Sequence, residues 1–257
     1  KLPQDTAFAG FFPVTFRQGE AFSPADGNPM RPAFLIALPL FALPAFAETP
    51  LEAALSAPAE GPAYKFDLKL EGDDLNAEAQ VDPSLPEGER LVLISPAADT
   101  LEGDAAERYA DLKANTSGDK IWCSSFKENI PADAKMISES GEAAVYSFTP
   151  LPGDDEETAK VYKHLTGRVT VSKDAPGILA FEMFAEKPFK PAMVAKIDSF
   201  SMKANCARAP DGRTYIQAFA LDISGNAMMQ PFSQSERREV TNLVALPDSA
   251  DTALGQR

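Results

Sequence analysis

The chain has 257 residues, with 24 Lys and Arg against 38 Asp and Glu, a formal net charge of −14 and a mean hydropathy of −0.19. That balance argues against nucleic acid or an anionic membrane as a partner held by a basic face, because such binding needs clustered Lys and Arg and no basic run occurs. The length suits one large domain or two small ones, enough to bury a real core.

The chain begins with Lys1, and its first Met is Met30. Residues 1–29 are therefore expected to be a non-native leader translated upstream of the true start, with a genuine extended leader as the alternative. Met30 to Ala47 has the layout of a secretory signal peptide: Arg31 as a basic start, Ala33 to Leu43 as an apolar run, and Ala45-Phe46-Ala47 as a small-x-small cleavage site. The apolar run is shorter than the roughly 18–20 residues that span a bilayer. Pro32, Pro39 and Pro44 also disfavour a long helix. Cleavage between Ala47 and Glu48 would send the chain to the periplasm as an exported protein without a transmembrane segment. Three basic and three acidic residues precede Glu48, so the charge of −14 belongs to residues 48–257.

Residues 48–63 read as an Ala- and Pro-rich linker, with a short helix expected over 50–56. Tyr64 to Glu71 alternates apolar and charged residues and predicts a half-buried strand. Gly72-Asp73-Asp74 turns it into a second strand ending near Val81. Leu91 to Ser95 is continuously apolar and predicts a strand buried on both sides or central in the sheet. Asp104 to Ala114 predicts a helix capped by Asp104, with Glu107 completing a capping box.

Ile121 to Phe126 and Ala143 to Phe148 predict strands, and Gly153 to Leu165 predicts a helix with Asp154 to Glu157 at its start and His164 at its end. From Gly167 the pattern becomes a meander. Strands are expected from Val169, over 178–185, over 194–207 with a bulge between Ile197 and Phe200, over 213–223, over 227–232 and over 239–246. Glu186 to Pro191 reads as a loop exposing Phe189, Asp211-Gly212 and Ser224-Gly225-Asn226 read as turns, and residues 247–257 read as a disordered tail.

The fold class expected is α+β: one domain over 64–246, built on a mostly antiparallel curved sheet compatible with a half-barrel, with two or three helices packed on it. In an exported protein Cys123 and Cys206 are expected to pair, closing a loop of about 84 residues.

Catalytic constellations are scarce. His164 is the only histidine, it has no nucleophile near it in sequence, and two cysteines and one histidine do not make a zinc site. No glycine-rich phosphate loop follows a strand. No catalytic residue, metal or cofactor is therefore assigned. The later strands are rich in Phe, Tyr and Met, and methionine packs variably around irregular apolar ligands. Phe181, Met183, Phe200, Met202, Tyr215 and Phe219 are the candidate ligand-binding residues.

An exported chain with Leu165-Thr166-Gly167 leading into a meander and an Asp211-Gly212 hairpin resembles the LolA/LolB/RseB-like periplasmic proteins. The resemblance implies an incompletely closed antiparallel barrel lined by helices, which binds acyl chains or lipoproteins. The expected function is a non-catalytic periplasmic binding protein for an apolar ligand, a lipid or a lipidated partner. The rival is a structural or interaction protein of the cell envelope with a filled core. A carboxylate-based hydrolase is a third reading, resting only on the abundance of Asp and Glu.

Overall fold

The computed structural model describes residues 48–153 and 156–247. Residues 1–47, Asp154, Asp155 and residues 248–257 lie outside them. The expected leader, signal segment, Ala47 side of the cleavage site and nearly all of the expected tail therefore fall outside the described residues.

The described residues form an 11-stranded antiparallel sheet with a few helices. In chain order the strands are β1 (Tyr64–Gly72), β2 (Ala77–Val81), β3 (Leu91–Ser95), β4 (Lys135–Glu139), β5 (Ala143–Phe148) and β6 (Thr166–Ser172). They continue as β7 (Ile178–Phe184), β8 (Phe189–Ala192), β9 (Ala195–Arg208), β10 (Thr214–Ala227) and β11 (Gln230–Ala245). The spatial order is β3-β2-β1-β11-β10-β9-β7-β6-β5-β4, with β8 paired to β9. The helices are α1 (Pro50–Leu55), α2 (Gly103–Asn115) and α3 (Glu156–Tyr162). The sheet is open, with β3 and β4 at its two edges.

Helix α1 forms because Thr49 caps it. Its hydroxyl accepts from the Glu52 N–H at 3.2 Å, and the Thr49 N–H donates to the Glu52 carboxylate at 2.8 Å. Those Thr49 hydrogen bonds also hold the Glu52 carboxyl below its usual range.

Alternation explains β1. Tyr64, Phe66 and Leu70 are buried, and Phe66 and Leu70 sit opposite Val81 and Ala77 on β2. Leu91, Ala79, Val81 and Val240 complete that cluster, and Tyr109 and Leu112 of α2 cover it.

Several expectations give way to tertiary structure. Strand β3 is an edge, and only Leu91 is buried; Val92 and Ile94 face solvent. Helix α2 starts one residue earlier than expected. Glu102, not Asp104, is its N-cap, without a side-chain capping bond. Ile121 to Phe126 is not a strand. Trp122 makes a single bridge to Tyr215, and Cys123–Asn129 winds into a 3₁₀ segment that lays Phe126 flat on Phe181, with ring centroids 4.4 Å apart. The exposed strand β4 gave no apolar signal.

Phe189 is not exposed. It is buried at the start of β8, where His164 stacks on it at 4.7 Å between centroids. The Ser224-Gly225-Asn226 stretch does not turn. Strand β10 runs through it, because a side chain at Gly225 would place its Cβ 2.1 Å from the Lys196 carbonyl of β9. The glycine there serves close strand approach rather than a turn. The chain reverses instead at Met228-Met229.

The bulge expected in β9 is present. Ser199 pairs with Ser224 and Ile197 with Gly225, leaving Asp198 as the extra residue. A second register shift lies between Ile216 and Ala218. Asn242 makes a third, with φ 53 and a hydrogen bond from its amide to the Asp67 carboxylate at 2.7 Å. Asparagine tolerates the left-handed conformation. That bond, followed by one from Gln80, holds the Asp67 carboxyl below its usual range. Bulges add local twist and bend the strands that carry them.

Cys123 and Cys206 are joined as expected, with Cα atoms 6.4 Å apart. The disulfide fixes the 3₁₀ segment to β9. Among the described residues no helix is long and apolar enough to cross a membrane.

Candidate functional site

The structure does not bring all six candidate residues together. Phe181 and Met183 of β7 sit beside Ala204 and Met202 of β9, and Phe200 is two residues along on the same face. Phe181, Met183, Phe200 and Met202 are all buried. Phe126 and Phe148 close over Phe181, with ring centroids at 4.4 and 6.1 Å. These four residues are packed core.

Phe219 faces the same side opposite Ala204, but it is only half-buried, and the Arg238 guanidinium lies 5.7 Å from its ring centroid. Tyr215 is separated from it by the register shift at Ile216/Ala218 and packs instead against the cluster of Phe66 and Val81.

Between these two packed regions the inner face carries charge. Glu236 of β11 is buried. It accepts from Arg108 of α2 at 2.6 Å and from Arg238 Nε. This trio pins α2 over the sheet. The adjoining cavity, lined by Leu70, Leu75, Arg108 and Glu236 among others, is about 30 Å³, room for one water.

The roomier space lies at the opposite end of the strands. A cleft of about 260 Å³ is bounded by the segment after α1, the β6–β7 turn and the β9–β10 turn. Ala54, Ala57, Pro58, Pro62, Pro176 and Ile178 supply apolar walls. Glu60, Ser124, Asp211, Arg213 and Thr214 supply the polar groups.

Arg213 organises this cleft. Its Nε donates to Asp211 at 2.7 Å, Nη1 to the Ala59 carbonyl at 3.2 Å and Nη2 to the Pro62 carbonyl at 2.5 Å. Its guanidinium lies 3.5 Å from the Trp122 ring centroid. Trp122 in turn meets Tyr64 edge-on at 5.6 Å. Burial, and then the Asp211 carboxylate, push the Tyr64 phenol above its ordinary pKa, against the opposing pull of a hydrogen bond to the Asp211 backbone and then of Arg213. Gly61 lets the linker lie against the guanidinium, since a Cβ there would stand 2.7 Å from Arg213 Cζ.

The linker between α1 and β1 is thus bound to the β9–β10 turn, and three of the five N–H donors of the guanidinium are engaged from within the chain. The cleft thus presents Ala57, Pro58, Pro62 and Pro176 beside Glu60, Ser124 and Asp211. Arg213 and Asp211 were legible in the sequence only as a turn. Their role depends on carbonyls about 150 residues away.

His164, the only histidine, is stacked on Phe189 and does not line the cleft. Among the described residues no three His, Cys, Asp or Glu side chains converge in a way that could hold a metal ion. Comparison of the chain with family models, with curated proteins and with solved structures finds no match.

Proposed function

We propose that this chain is an exported, non-catalytic binding protein of the periplasm that takes an alkyl chain or a comparably small apolar group into the proline-walled cleft. The observation that carries the reading is the cleft itself. It combines about 260 Å³ of space with proline and alanine walls and an arginine held in place by three hydrogen bonds from within the chain. Binding pockets are typically concave and apolar, with a few fixed polar groups. Export is supported by the signal-like stretch at 30–47 and by the disulfide, which persists in an oxidising compartment.

The test is displacement of a fluorescent fatty acid from the protein, with Ala57→Trp as the variant. Ala57 is a half-buried wall residue, so an indole there fills the cleft without entering the core. Saturable binding lost in Ala57→Trp supports the reading. No binding to the unaltered chain, or equal binding by the variant, overturns it.

A second reading has its own observation. Phe181, Met183, Phe200 and Met202 are buried in a filled core capped by Phe126, which suits an interaction protein of the envelope. Crosslinking in cells that captures a protein partner, with no lipid co-purifying, would favour that reading.

A further inference from the structure

Two tight turns lie side by side at the end of the sheet away from the cleft. The β8–β9 hairpin turns through Met193-Val194, because Ala192 pairs with Ala195. The β10–β11 hairpin turns through Met228-Met229, because Ala227 pairs with Gln230. The Met228 N–H donates to the Val194 carbonyl at 2.8 Å, which ties the two tips together. All four side chains face water, with exposures of 98% for Met193, 61% for Val194, 69% for Met228 and 96% for Met229.

The backbone makes the choice of residues more pointed. Met228 and Met229 have φ of 49 and 66, both left-handed. A two-residue turn of this kind normally takes Asn-Gly or Gly-Gly. Methionine is unfavourable there for the backbone, and it is unfavourable for solubility as an exposed side chain. Strain and exposed apolar surface in one place are features that concentrate at interaction sites.

Local charge differs from that of the molecule as a whole. Residues 187–197 and 224–235, which build the tips, contain Lys187, Lys190 and Lys196 and no acid, in a chain of net charge −14. The nearest acid along either strand is Asp198, whose carboxylate pairs with Lys196 at 2.5 Å and accepts from Asn226 of the β10 tip at 3.0 Å, leaving Lys187 and Lys190 as the other charges there. Charges farther than about 8 Å are largely screened at physiological ionic strength. A surface touching the tips therefore meets apolar side chains and lysines, with most of the acidic body screened from it.

We propose that the paired tips dock on a bilayer containing anionic phospholipid. Met193, Val194, Met228 and Met229 enter the boundary between headgroups and acyl chains. Lys190 meets the lipid phosphates, and Lys196 exchanges its Asp198 partner for one. Flexible methionines fill irregular apolar surroundings, and lysine stems can lie along apolar surface while the ammonium stays at the headgroups. The combination of apolar insertion and nearby cations is what interfacial binding requires. This surface is separate from the cleft, and the proposal does not depend on what the cleft holds.

The experiment is co-sedimentation of the full chain with sucrose-loaded vesicles, either phosphatidylglycerol with phosphatidylethanolamine or phosphatidylcholine alone. The apolar stretch 33–43 is common to all variants, so differences between them report the tips. Met228→Asn with Met229→Gly gives the turn its preferred residues. That double variant is expected to melt at a higher temperature and to lose at least tenfold in partitioning onto the anionic vesicles. Lys190→Glu with Lys196→Glu is expected to lose a similar factor on anionic vesicles and to leave the phosphatidylcholine result unchanged. Equal sedimentation of the unaltered chain and the Asn-Gly variant overturns the proposal. So does a concentration-dependent dimer that the variant abolishes without any change in vesicle binding, since the tips would then meet a second copy of the chain.

Discussion

Arg213 is a residue whose importance lies in what it joins. Its guanidinium bridges the β9–β10 turn to the Ala59 and Pro62 carbonyls and lies over Trp122, and little of its side chain is exposed. Replacing it with Met keeps much of the bulk but leaves both carbonyls without their donor and Asp211 with only the backbone N–H of residue 213 at 3.1 Å. Removing one partner of a buried charged pair is strongly destabilising. Arg213→Met is expected to lower stability by about 3 kcal/mol. Urea unfolding followed by Trp122 fluorescence checks this; a loss below about 1 kcal/mol would mean that water replaces the guanidinium at little cost. A sequence reader sees Arg213 after Asp211-Gly212 and infers only a turn, because the carbonyls it binds carry no side-chain signature.

At the scale of elements, alternation was the dependable signal and turn chemistry was the weaker one. Strands β1, β5 and β7 announce themselves through apolar residues two apart, because one face of each is buried. The failures have local causes. Ile121 to Phe126 looked like a strand, but the disulfide at Cys123 and the stacking of Phe126 on Phe181 draw it into a 3₁₀ segment. Ser224-Gly225-Asn226 looked like a turn, but its glycine is used for the approach of β9. Strand β4 carries no buried residue and left no apolar pattern to read.

Gly167 in β6 shows the same use of glycine in the core. A Cβ there would lie 2.3 Å from the Phe148 ring, which folds across the strand toward Phe181. Gly167→Ala is expected to displace Phe148 and to lower stability by roughly 1–3 kcal/mol, the usual range for overpacking. Thermal unfolding measures this, and a partial recovery in the double variant with Phe148→Leu would show that the ring is the obstacle.

At the scale of the molecule, the last strand closes the fold onto the first. Strand β11 pairs with β10 over residues 230–239 and with β1 over residues 236–245, so the β1–β3 meander is held to the rest of the sheet through the end of the chain. The disulfide acts at the same scale, joining residues 83 apart in sequence. In the chain-entropy treatment a loop of that length contributes roughly 4–5 kcal/mol, an upper figure because native strain subtracts from it. Reduction, or Cys123→Ala with Cys206→Ala, is therefore expected to move the urea midpoint sharply downward. Unchanged unfolding after complete reduction would show that packing of the 3₁₀ segment suffices to hold it.

The sequence by itself determined the class of the fold, the cysteine pair, the bulge in β9 and the apolar character of β7 and β9. Each of these follows from side-chain period or residue type within a short stretch. Only the tertiary structure decided that Phe181, Met183, Phe200 and Met202 are packed core, that β3 is an edge, and that a cleft opens beside Arg213. It also decided that Met193-Val194 and Met228-Met229 share one exposed tip. The physical reason is common to all of these. Burial and proximity are set by which strands become neighbours, and the pairing of β11 with β1 and the register shifts along β9 to β11 are long-range outcomes that no local pattern encodes.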